Sequence, residues 1–110
     1  SVASVSELMR AMVIPASDAL FNVPRTPPKS REEWAAVRNH AIVLAESANL
    51  LMVGDRAKQS EAWMGSSRAM AEAGAAALKA AKAEDAETIG KIGDRIIASC
   101  EQCHDMHWVR

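Results

Sequence analysis

The chain has 110 residues, enough for one domain with a buried core but few enough that a staple or cofactor would help to hold it. Its 13 basic and 14 acidic residues leave a net charge of −1, which gives nucleic acid or an anionic membrane surface little to recognise. A hydrophobic content of 49% excludes a disordered chain, and no apolar run reaches the length of a membrane span.

Helical spacing recurs in four segments, and no β-branched alternation competes with it. Residues 3–21 form the first predicted helix, with Val5, Leu8, Met9, Met12, Ala16 and Leu20 on one side. Pro15 lies inside it, removes a backbone hydrogen bond and clashes with the preceding turn, so a kink or break is expected there. Three of the four prolines fall in "NVPRTPPKS", residues 22–30, which must be loop. The second helix covers residues 31–53. Trp34, Val37, Ala41, Leu44, Ala48 and Leu51 make its seam, Ser30 and Glu33 form a capping box, and Gly54 stands at the expected stop.

The third helix covers residues 60–82, Ala-rich, with Trp63, Met70, Ala77 and Ala81 inward and Gly65 and Gly74 weakening it. The fourth starts after Asp85, a good N-cap, and carries Ile89, Ile92, Ile96, Cys100 and Cys103 towards the end of the chain. Four helices with short connections predict an all-α fold, an antiparallel up-down-up-down four-helix bundle forming a single domain over residues 1–110. The Ala- and Met-rich inner faces of the first, third and fourth helices imply a cavity that a cofactor would fill.

The two cysteines of the chain stand together in "CEQCHDMHWVR". On a helix, Cys100, Cys103 and His104 fall at i, i+3 and i+4 and share one face. Cys-x-x-Cys-His is the attachment pattern of c-type haem: each thiol adds across one vinyl group, and the adjacent imidazole reaches the iron as an axial ligand. A thioredoxin-like motif would need its first cysteine at a helix N-terminus after a strand, and here it lies near a C-terminus. A zinc site from Cys100, Cys103, His104 and His107 would crowd four ligands into two helical turns, a poor tetrahedron. A disulfide between Cys100 and Cys103 would close a short loop at strained geometry for little stability, and two buried thiols remain the plainest alternative.

From "VSELMRAMV" to "CEQCHDMHW" the chain resembles the class II c-type cytochromes, the cytochrome c prime family, whose motif lies on the fourth helix instead of near the N-terminus. The resemblance implies a bundle holding one covalent haem c between its first and last helices. It also implies export to the periplasm, with a signal peptide removed, and a monomer or homodimer that meets redox partner proteins. One branch of that family is six-coordinate and shuttles electrons, its sixth ligand an early methionine followed by a basic residue. Met9-Arg10 in "ELMRAM" matches, so the expected axial pair is His104 and Met9, with Met12 the competitor and Arg10 a propionate partner. The resemblance therefore implies a one-electron carrier and not an enzyme. The alternative is a five-coordinate member of the same family that binds NO or CO.

Many members place an aromatic residue and an arginine at the third and fourth positions after the haem histidine. Here those positions are His107 and Trp108, with Arg110 beyond, a departure that leans away from the gas-binding members. Trp108 is expected beside the macrocycle, His107 at its edge, and His40 at the boundary of the second helix. Met52, Met64, Met70 and Met106 are expected in the core or on the surface.

Overall fold

The computed structural model describes residues 2–57 and 60–107, with side-chain detail for all of these except 102, 103 and 105–107. Among the described residues the fold is all-helical without strands, and four helices pack against one another. The first is broken into α1 (Val5–Leu8), a π-helical turn (Met9–Val13) and α2 (Ile14–Phe21). Then follow α3 (Arg31–Leu50), a 3₁₀ turn (Gly54–Arg56), α4 (Glu61–Lys82) and α5 (Ala86–His107). The most extensive packing is of α4 against α3 and against α5, while α2 rests on both α3 and α5. The resulting body measures 41 × 25 × 22 Å.

The break expected at Pro15 takes the form of a wide turn. Proline cannot donate to the helix ladder and its ring collides with the carbonyl four residues back. The chain answers one turn earlier: the Ile14 amide donates to the Met9 carbonyl, an i→i−5 bond, and Pro15 falls in the first turn of α2 where no donor is needed. The extra residue in the turn resets the phase of Val5–Met9 relative to α2. The first helix starts at Val5 and not at residue 3, because Ser4 caps it. The Glu7 amide donates to Ser4 Oγ at 3.1 Å and the Ser4 amide donates to Glu7 Oε1 at 3.0 Å, a complete capping box. Those two Ser4 contacts hold the Glu7 carboxyl below its ordinary 4.5. At α3 only the serine half of the predicted box forms, with the Glu33 amide donating to Ser30 Oγ at 3.1 Å.

Helix α3 closes at Leu50, short of the predicted residue 53. The amides of Leu51 and Met52 turn back to Ala48 and Asn49 in tighter i→i−3 bonds. The Leu51 carbonyl accepts the indole N–H of buried Trp63 at 2.8 Å instead of a continuing helix amide. Gly54, at φ 63°, then opens the 3₁₀ turn rather than ending the helix. Arg56 in that turn donates from Nε to the Ala3 carbonyl at 3.0 Å, tying the N-terminal segment to the α3–α4 connection.

Periodicity places the core as predicted. Leu20, Leu44, Leu51, Ile89 and Ile96 are fully buried, and Trp34, Val37, Trp63, Met70 and Ile92 are buried with them. The small residues of α4 do something different from what their size suggests. Ala73, Ala77 and Ala81 are fully buried, and a Cβ built on Gly74 would lie 2.7 Å from the Ala45 nitrogen. The second half of α4 therefore uses small side chains to bring backbones together rather than to leave an empty core.

The α4–α5 connection is short and heavily bonded. Asp85 donates its amide to Ala80 and Glu84 donates its amide to Ala81, the paired closure of a Schellman motif with Glu84 at φ 54°. The Asp85 carboxylate then caps α5, accepting from the Thr88 hydroxyl at 2.6 Å and the Thr88 amide at 3.1 Å. These bonds hold the Asp85 carboxyl below its ordinary 3.8. A depressed folded-state value means the cap is fully stabilising above the unfolded pKa and is lost as pH falls through the folded one. Denaturant melts between about pH 5 and pH 2 are expected to show that loss, and Asp85→Asn, which keeps an acceptor that does not titrate, is expected to flatten it.

Candidate functional site

One cleft gathers residues from four separate parts of the chain. Helix α5 contributes Ser99, Cys100 and His104 to its wall. The π-helical turn contributes Met9, α4 contributes Ser66, Ser67 and Met70, and the end of α3 contributes Leu51. Met9 and Cys100 are half-buried, while His104 stands exposed at the rim. A soft thioether, a thiol and an imidazole thus share one cavity, and Met9 reaches it from a different element than the other two.

The cysteine motif lies in the last turns of α5, which runs through His107. The side chains of Cys103, His107 and Met106, and all of Trp108, lie outside the described residues, so the expectations placed on them, including the zinc arrangement, concern parts that are not described. Met12 is half-buried against the core but does not line the cleft. Arg10 is exposed and donates from Nη1 to Ser6 Oγ at 2.8 Å, one turn back along its own helix, and it does not line the cleft either. His40 is half-buried on α3, a boundary position. Met70, expected as core, is both buried and part of the cleft lining.

Sequence reading passed over the serines. Ser66 and Ser67 are 4% and 1% exposed, and neither hydroxyl has a hydrogen-bond partner among the described residues. A buried hydroxyl left unmet costs about 1–3 kcal/mol. Other buried serines in the chain avoid that cost within their own helix, Ser47 donating to the Leu44 carbonyl and Ser99 to the Arg95 carbonyl, each at 3.0 Å. Adjacent serines inside an Ala-rich apolar helix were the only available signal, and serine polarity by itself suggests exposure.

The cleft is narrow, with a free volume of about 10 Å³, about that of one water. That is far below the roughly 300–1,000 Å³ of sites that hold organic cofactors. Donor chemistry fits a c-type haem: Cys100 to hold it, His104 and Met9 to ligate its iron, and two unmet hydroxyls to face its polar periphery. Space for a haem would require the walls of the cleft to move apart. Of those walls, the one formed by the π-helical turn belongs to a segment that packs mainly on α2, α3 and α1. Comparison of the chain with protein-family models, curated proteins and solved structures gives no significant match. No helix among the described residues is long and apolar enough to cross a membrane.

Proposed function

We propose that the chain is a c-type cytochrome of the class II kind, an antiparallel up-down-up-down bundle that carries one electron at a time between redox proteins in the periplasm. The observation that supports this most is the meeting of Met9 with Cys100 and His104 at one cleft, because ligation from both sides needs donors on separate elements. Bound there, a haem supplies an iron centre that accepts one electron and gives it up again.

The chain's own residues do the rest. Cys100 and Cys103 would hold the haem as thioethers, each S–H adding across one vinyl group, with no free thiol left and no oxidant consumed. His104, one residue past Cys103, is held on a short tether that aims its imidazole. Met9, from a separate element, would offer a neutral sulfur, which favours the reduced state relative to a second imidazole and would close the site to exogenous ligands. Leu51 and Met70 line the wall with apolar surface and limit water.

Protein matured with a haem-attachment system is expected to keep its colour through acid-acetone extraction. Its mass should exceed the sequence mass by one haem, and denatured protein should show no reactive thiol. Extractable colour, or two titratable thiols, would overturn the proposal.

A further inference from the structure

Ser66 and Ser67 are the unexplained part of the cleft. They lie side by side on α4, are more than nine-tenths buried, and line the same cavity as Met9, Cys100 and His104 without a hydrogen-bond partner among the described residues. In the same chain Ser47 and Ser99 satisfy their hydroxyls by bonding back to their own helix, so the habit is available and these two do not take it. Unmet donors at the wall of a binding site call for an acceptor on what binds.

A c-type haem narrows the choice of acceptor. Its ring nitrogens are committed to iron and its edge is hydrocarbon, so the acceptors at its periphery are its carboxylates. Among the described residues no lysine or arginine lines the cleft, and Arg10, the expected cationic partner, is turned to Ser6. We propose that Ser66 and Ser67 donate hydrogen bonds to a propionate carboxylate of the haem, so that neutral hydroxyls on α4 take the place of a cation. This rests on the haem reading above and adds to it two positioning residues and the polar character of the cleft.

The test uses the holoprotein and a Ser66→Ala, Ser67→Ala double variant; alanine is the better helix former, so folding is not at risk. Resonance Raman spectra are expected to show the propionate bending mode at lower frequency in the double variant, with haem content and axial ligation unchanged. The midpoint potential at fixed pH is expected to fall, because a carboxylate that has lost its donors favours the more positive iron state. Ser17→Ala removes a third buried, partnerless hydroxyl that lies outside the cleft and is expected to change neither reading. An unmoved propionate mode in a double variant with normal haem content overturns the proposal and leaves the haem reading intact. So does a double variant whose change appears instead in carbon monoxide binding, since the hydroxyls would then face the iron. Wild-type protein without covalent haem overturns both.

Discussion

Met9→Ala is expected to turn a low-spin protein into a high-spin one that binds carbon monoxide readily. If Met9 is the sixth ligand it would fill that position in both oxidation states, so wild type should react poorly with carbon monoxide. When oxidised it should show the weak red charge-transfer band of iron–methionine bonding. Met12→Ala should leave the spectrum nearly unchanged, since Met12 packs on the core and does not line the cleft. If the loss follows Met12→Ala instead, the ligand is one turn away. If wild type is already high-spin and binds carbon monoxide or nitric oxide, the five-coordinate gas-binding reading replaces electron transfer.

Gly74→Ala is expected to destabilise the fold by about 1 kcal/mol, the balance of overpacking at about 1–3 kcal/mol against a gain of about 1 kcal/mol in helix propensity. The added Cβ would sit 2.7, 2.8 and 2.9 Å from the nitrogen, Cα and Cβ of Ala45. Two of those atoms are backbone, so no rotamer change relieves the contact and α3 must move away from α4. The same substitution at Gly65, in the same helix with nothing within 4 Å of its new Cβ, should raise stability by about 0.5–1 kcal/mol. Denaturant midpoints of the two variants check the pair. Shifts in the same direction would show that the close approach at Gly74 is wrong.

Much of the helical frame was legible because apolar period and burial coincide. Trp34, Val37, Ala41, Leu44, Ala48 and Leu51 recur at helical steps and are all buried, and Ile89, Ile92 and Ile96 repeat the pattern on α5. Pro15 announced a disturbance, but its form depended on where a wide turn cost least, and a fixed angle per residue carries no trace of that. The Ser4–Glu7 box was written in the sequence as plainly as the one at Ser30 and was overlooked, while the Ser30 box formed only in part. Gly74 reads locally as a weak helix position; its purpose appears only when Ala45, on another helix, is beside it.

Cys100, His104 and Met9, singled out in the sequence by residue type and spacing, do line one cleft; what they bind there is a proposal. Ser66 and Ser67 were not singled out. Their burial depends on α3, α4, α5 and the π-helical turn arriving at one place, and no local pattern on α4 encodes it. Arg10 shows a local contact that the sequence did not suggest: its guanidinium donates from Nη1 to Ser6 one turn back.

The double duty of Asp85 has a mechanical consequence. Its amide closes α4 and its carboxylate opens α5, so the two helices are geared together through one residue. One more or one fewer residue at this joint turns α5 by about 100° relative to α4. Cys100 and His104 would swing off the wall they share with Ser66, Ser67 and Met70, although every residue of the site was still present. Surface loops usually tolerate changes of length; this joint acts as a key that sets the rotation of α5 in the bundle.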